Sequence, residues 1–459
     1  MPDRQPTDKR IQRMAATTQI LARYIVNAKP ADIPAAVGRE AKRCLLNWLG
    51  CSVAGSREES VDVALAAVRE FAGAGNTSVL GRSEKLDLGH AAFINGVSAD
   101  VLSFSDTHPA TLIHAGGVIG SAILALAEQV PTTGRDFLNA LIVGFETACH
   151  VGLGIYPWHY NRGWHITGTA GIFGATAAAG KILGLDEQRM VYALGIASTQ
   201  SAGLREMFGS MCKNLHIGRA AQNGLTSALF AKNGFTSSTQ SLEAPRGFLH
   251  VLGEKPDLDA VTRGLGREYE MLHNTYKPYP CGVVIHPIIE GCVNLAKEHD
   301  LEPADIRSVA LRCNPLVVEL CGKQRPANTL EAKLSVYHSA AASLVAHRMT
   351  DLEYRPEYIN RPDVLALRGK VGVTVDDKIR EDETEIVIEL NIGKRFTTHI
   401  DHVIGSADRP MSDADMEQKF RGLTELVLPP ANVDKLIECC RNVTELDNVA
   451  TFAQLATTR

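Results

Sequence analysis

The sequence predicts a mainly α protein with a smaller α+β part, in which a large all-helical domain carries an inserted α/β lid. Three observations predict this. Apolar residues recur at helical spacing through the first half, two-residue alternation is clear only beyond about residue 300, and helical periodicity returns near the C-terminus. At 459 residues the chain exceeds the size at which one hydrophobic core stops growing, so two domains are expected. The order divides the chain into 1–272 (first part of the helical domain), 273–406 (lid) and 407–459 (helices returning to the first domain).

Taken in order, Asp32-Ile33-Pro34 predicts a helix start, with Val37, Ala41, Cys44, Leu45, Trp48 and Leu49 following at helical spacing until Gly50. Thr132 or Thr133 caps a helix through Phe137, Leu141, Phe145 and Cys149, and Asp186 caps another through Val191, Leu194 and Ile196. The run GTAGIFGATAAAG from Gly168 to Gly180 makes a helix with an almost side-chain-free surface, which lets neighbouring helices approach closely. Ile306 to Arg312 alternates, and Glu385–Leu390 and Arg395–Ile400 flank the turn Asn391-Ile392-Gly393-Lys394. Ser412-Asp413-Ala414-Asp415 resembles a capping box, and Pro429-Pro430 precedes two further helical stretches.

Composition excludes several classes. With 45% hydrophobic and 22% charged residues the chain is an ordinary globule, and a net charge of -5 without a Lys/Arg run argues against nucleic acid as a partner. The longest apolar stretches, Gly116 to Ala127 and Gly168 to Gly180, fall short of the roughly 20 residues that span a bilayer. Arg4, Lys9, Arg10 and Arg13 are interspersed with Asp3 and Asp8 and followed by no apolar segment, so no targeting signal is expected and the cytoplasm is the expected location. The ten cysteines form no Cys-x-x-Cys pair and read as buried free thiols, which argues against an Fe–S cluster or a zinc site of paired cysteines.

Reactive groups concentrate in two segments. Ser103 to Gly117 holds Asp106, Thr107, His108, Thr111 and His114 just before an apolar helix, and Gly163-Trp164-His165-Ile166-Thr167 leads into the Gly/Ala helix. Polar groups before a helix N-terminus suit an anionic ligand, because free N–H groups and the positive end of the helix dipole point the same way. Each segment alone is equally well read as a helix cap with ordinary histidines. The six-residue spacing of His108 and His114 fits no helical zinc motif, and no Gly-x-Ser-x-Gly elbow supports hydrolysis by a serine.

Read together, NGVSADVLSFSDTHPATLIHAGG, GWHITGTAGIFGATAAAGKILGLDE, ALGIASTQSAGLREMFGSMCKNLHIGRAAQNG, RGFL, KPYPCGVVIHP and EAKLS resemble the MmgE/PrpD family in order, spacing and wording over most of the chain. That family includes 2-methylcitrate dehydratase, cis-aconitate decarboxylase and iminodisuccinate epimerase. The resemblance implies a helical domain with an α/β lid, a homodimer, no metal or cofactor, and a small carboxylic acid as substrate. It also implies catalytic roles for Thr107, His114, His165 and Lys213, with Asp106 beside the threonine and His286 in a later motif. His108, Arg205, Tyr337 and His338 are further candidates for substrate binding, Arg205 being equally readable as half of an ion pair. The chain departs from the pattern at Ser103 and Ser105, where the family shows Asp, at Asp100, where His is common, and at His338, where the decarboxylase has Tyr.

The family's reactions pass through a carbanion or enolate beside a carboxylate, which needs a base and a cation. An imidazole can take and return a proton near neutrality, making His114 and His165 the expected pair, and Lys213 the expected positive charge. The leading expectation is a lyase of the dehydratase or decarboxylase type acting on a di- or tricarboxylate. An epimerase is the alternative, and a catalytically degenerate member with a binding role is the second.

Overall fold

The computed structural model describes residues 16–458, so the charged N-terminal residues discussed above lie outside the described residues. The principal helices of the first part are α1 (Thr17–Asn27), α2 (Ala35–Gly55), α3 (Leu88–Val101), α4 (Ala115–Ala127), α5 (Gly134–Leu153), α6 (Ile166–Ile182), α7 (Glu187–Ser198) and α8 (Cys212–Lys232). Among the described residues no helix is long and apolar enough to cross a membrane. Thr133 and Asp186 cap α5 and α7 through the backbone N–H groups of Asp136 and Arg189.

Two local expectations need correction at α2. Asp32 ends a separate 3₁₀ turn, Pro30–Asp32, and α2 starts after Pro34 with no side-chain cap. Nor does Gly50 end it: the helix continues to Gly55, because the Gly50 surface packs against Phe420, whose Cδ2 lies 3.0 Å from where a Cβ would stand.

Helix α6 sits at the centre of this part, in contact with α4, α5, α7 and α8. Its small residues explain why. A Cβ on Gly174 would stand 2.7 Å from the Gly144 carbonyl oxygen, and one on Gly144 equally close to the Gly174 oxygen, so α5 and α6 touch backbone to backbone.

The second part contains α9 (His286–His299), α10 (Val336–Ala346) and a four-stranded sheet of β3 (Ile306–Cys313), β4 (Val371–Val375), β5 (Thr384–Leu390) and β6 (Arg395–Ile400). The order is β4-β3-β5-β6, with β3 and β4 parallel and the other pairs antiparallel. Val309 pairs with Val371 on one side and Ile388 on the other. Gly393, with φ +83°, makes the turn between β5 and β6. Ile306, Val309, Leu311, Ile386 and Ile388 bury one face against α9 and α10.

The C-terminal helices α11 (Asp413–Thr424), α12 (Pro430–Arg441) and α13 (Ala450–Leu455) bury Phe420, Val433, Leu436 and Phe452 in the same apolar cluster as Trp48, Phe137 and Phe173. A second large cluster holds the sheet, α9 and α10. Ser412 and Asp415 form the reciprocal capping box at the start of α11.

One short pairing between distant segments organises the site. β1 (Asp106–Thr107) runs antiparallel to β2 (Thr275–Tyr276), so Lys277 follows directly from a strand bonded to Thr107. Lys419 of α11 donates to Asn47 Oδ1 and to the carbonyls of Phe104 and Lys277 at 2.7, 2.8 and 2.9 Å. A helix near the C-terminus thus ties together two segments far apart in the chain.

Candidate active site

Two helices begin at histidines. His114 precedes α4 and His165 precedes α6, each in the flanking position where the backbone has not yet turned helical. Their imidazoles line one cavity together with Thr107, Lys213, Lys277 and Tyr160. The cavity lies between the helical part and the segment around Cys281–Val284, with Leu316, Leu320 and Cys321 from the second part on its wall. Ser103 and Leu112 also line it, with φ of +54° and +59°, a backbone region costly for any residue but glycine.

His114 is oriented by its backbone surroundings. Its Nδ1–H donates to the Asp106 carbonyl at 2.7 Å, and Thr107 Oγ1 lies 3.2 Å from the same nitrogen. Its own N–H donates to Thr167 Oγ1 at 3.1 Å, joining the two histidine segments. These bonds occupy Nδ1 and leave Nε2 for a ligand. His165 is 2% exposed, with its Nδ1 2.9 Å from His216 Nδ1 and its ring edge-on to Phe208 at 5.0 Å.

Burial and nearby ammonium groups hold both imidazoles neutral. Desolvation pushes His114 well below its ordinary range, and Lys277 and Lys213 push it further. For His165 burial again comes first, then Lys213, with Asp100 opposing. Lys213 donates to Asp100 Oδ2 at 2.5 Å. Lys277 is 5% exposed and pulled down to about 8, mainly by burial and then by Lys213. Its backbone carbonyl takes a bond from Lys419, but none of the described side chains accepts from its ammonium.

Asp106 faces away from the cavity. Its Oδ2 accepts from the Gly116 N–H at 3.1 Å and from Asn274 Nδ2 at 3.3 Å, which places the carboxylate on the first turn of α4. Burial raises its pKa, and Oδ1 has no hydrogen-bond partner. A Cβ at residue 116 would stand 2.9 Å from that Oδ1, so the glycine is what lets the carboxylate approach the helix.

The remaining candidates lie elsewhere. His108 is fully buried, with Nε2 2.9 Å from Glu270 Oε2 and Nδ1 2.8 Å from Thr111 Oγ1. Arg205 lies over the Tyr160 ring at 4.0 Å and donates to Glu319 Oε1 at 2.9 Å, so it backs the cavity wall as half of an ion pair. His338 is fully buried and donates through Nε2 to the Glu353 carbonyl at 2.9 Å, and Tyr337 packs on the second apolar cluster. None of these four lines the cavity, because each is engaged by its own local partners. His286 lines an adjoining cavity that shares Thr107, Leu112 and Lys277 with the first. Its Nε2 is buried without a partner.

Lys277 and Asp100 were not among the sequence candidates. The motif KPYPCGVVIHP marks the lysine only by resemblance; its place beside Thr107 depends on the β1–β2 pairing. Two groups of side chains lie close enough to share a cation, Asp382/His402/Asp408 and Glu383/His399/Asp401. Arg380 is already within 3.6 Å of Asp382 and 3.2 Å of Glu383, and neither group contains a histidine of the cavity.

Residues 19–261 match the MmgE/PrpD N-terminal domain and residues 279–444 match the MmgE/PrpD C-terminal domain, so the chain belongs to the MmgE/PrpD family. Among curated proteins it is similar to cis-aconitate decarboxylase of Aspergillus terreus, 27% identical over 96% of both chains. The cis-aconitate decarboxylases of Homo sapiens and Mus musculus are each 27% identical over 96% of this chain and over 95% and 93% of their own lengths.

Proposed function

We propose that this protein is a lyase that removes carbon dioxide from cis-aconitate or a closely similar di- or tricarboxylate, using acid/base chemistry and no cofactor. The observation that carries the reading is the convergence of two neutral imidazoles, His114 and His165, with two ammonium groups, Lys213 and Lys277, in one cavity. The relatives named as cis-aconitate decarboxylases support this branch of the family.

The electrostatics suit the chemistry. None of the described side chains accepts from the Lys277 ammonium, so a ligand carboxylate offers it a direct partner. An arriving polyanion also reverses the field on the histidines: it favours their charged form, and one imidazole takes up a proton as the substrate binds. The bond to the departing carboxylate then breaks, and its electron pair passes into the neighbouring alkene and carboxylate as an enolate facing the lysines. The imidazolium returns its proton to carbon and is left neutral. A tricarboxylate trianion and one proton thus give a dicarboxylate dianion and carbon dioxide. Thr107, held by Thr275 Oγ1 donating to its carbonyl at 2.6 Å, is placed to orient the substrate beside His114.

The test is incubation with cis-aconitate, citrate, 2-methylcitrate and iminodisuccinate, read by mass spectrometry and by proton NMR in deuterated water. The expected result is loss of carbon dioxide from an unsaturated acid, with one proton consumed per turnover in a pH-stat. Loss of water alone would make the protein a dehydratase, and deuterium incorporation with neither water nor carbon dioxide lost would make it an epimerase; either result overturns the decarboxylase reading.

A further inference from the structure

Asp100 is a buried carboxylate bonded to Lys213 of the candidate site, and the reaction above does not use it. It sits in the last turn of α3, 1% exposed, and it is the acceptor for Lys213 Nζ at 2.5 Å. Its second oxygen is 3.5 Å from Ser105 Oγ. Lys213 occupies the first turn of α8, where the helix dipole is unfavourable to a cation, so nothing in its own helix holds the ammonium in place.

We propose that Asp100 is a positioning residue for the candidate reaction: its buried carboxylate fixes the Lys213 ammonium in the cavity and cancels one of the two lysine charges that face the histidines. The inference rests on the acid/base reading of the cavity. The groups concerned come from every side of it: Asp100 from α3, Lys213 and His216 from α8, Lys277 after β2, His114 and His165 ahead of α4 and α6, and Glu381, its carboxyl raised by burial, from the loop between β4 and β5. Of the two carboxylates Asp100 is the one bonded to a lysine, and it opposes the lysines at His165, at His216 and at Lys277. Ser103 and Ser105, on the loop that follows α3, carry no charge, so the counter-ion of this site is supplied by the helix. A carboxylate on a buried helix turn holds its lysine in a narrower geometry than one on a loop, which is what a group facing a developing enolate requires.

The roles of charge and of packing separate in Asp100→Asn, which keeps the shape and removes the charge. The cavity then carries two uncompensated ammonium groups. Affinity for tricarballylate, a saturated tricarboxylate with nothing to eliminate, is expected to hold or tighten in titration calorimetry. In the same variant kcat is expected to fall on the order of 10²-fold, because Lys213 is no longer held in place. The pH profile should move to lower pH on both limbs, since removing a negative charge makes both the imidazoles and Lys277 harder to protonate. Asp100→Glu should restore the pH profile of the parent. Weakened tricarballylate binding in Asp100→Asn, or a kcat and pH profile equal to the parent's, overturns the proposal. Should the parent turn over none of the acids, the lyase reading fails. The pH dependence of tricarballylate binding then decides Asp100 on its own: a midpoint unmoved by Asp100→Asn overturns it.

Discussion

At the scale of single residues, the candidate site is built from groups that the fold leaves dissatisfied. Lys277 is the clearest case: a nearly buried ammonium, lowered to about 8, from which none of the described side chains accepts a hydrogen bond. Charging it inside the protein costs on the order of 3 kcal/mol, taking each pKa unit as about 1.4 kcal/mol. Lys277→Met should therefore raise the melting temperature while abolishing tricarboxylate binding, the trade expected where a strained group serves a ligand. Calorimetric melting alongside titration with tricarballylate checks both halves. A variant that melts lower and still binds would show the lysine to be structural. His114 and His165 follow the same pattern, since each is kept neutral by surroundings that a bound anion would reverse.

At the scale of elements, close approach of helices decides where the histidines stand. The α5–α6 contact is possible only because Gly144 and Gly174 present carbonyl oxygen to bare Cα. Gly174→Val would push α6 away from α5, at a cost of about 1–3 kcal/mol for overpacking, and would carry the His165 end of α6 with it. The expected outcome is a lower denaturation midpoint with reduced turnover. An unchanged midpoint would mean that the helices have room to part. The β1–β2 pairing acts similarly on the other side of the site, where two residues of ladder and the Lys419 bonds bring Lys277 to Thr107. The motifs around His114 and His165 were legible because each lies within one continuous segment before a helix. Lys277 and Asp100 were not, since their neighbours come from segments 170 and 113 residues away, as 277 − 107 and 213 − 100.

At the scale of the whole molecule, buried neutral histidines shape the response to acid. His159 and His338 are fully buried and held at about 4, chiefly by desolvation. In the unfolded chain they protonate near the ordinary value of about 6.5. Between those values the unfolded state binds more protons, so their contribution is intact above about 6.5 and is lost as pH falls towards 4. Each group accounts for roughly 3 kcal/mol across that window. Glu146 works in the opposite sense over an overlapping window, since burial raises its carboxyl from an ordinary 4.5 to about 8 and its contribution is lost as pH rises between them. The histidine effect is therefore isolated by comparing urea midpoints of the parent and of His159→Gln/His338→Gln between pH 7 and 4. The double variant should show the shallower fall, and equal slopes would locate the acid sensitivity elsewhere.

The sequence alone determined what depends on neighbours along the chain. Helical periodicity, the capping by Thr133, Asp186 and Ser412, the alternation of β3 and the hairpin at Gly393 are local, and they appear in the structure where the residues placed them. It also carried family membership through ordered motifs. Local rules failed at Asp32 and Gly50, where packing against Phe420 and the 3₁₀ turn before Pro34 set the ends of α2 differently. Only the tertiary structure decided which polar residues share a cavity. His108 and His338 are the same residue type as His114 and His165, and Arg205 and Tyr337 are polar candidates like them, yet all four are engaged away from the cavity. The reason is physical: a side chain's protonation and reach are set by burial and by charges a few ångströms away, and those neighbours are brought together by packing between segments distant in the chain.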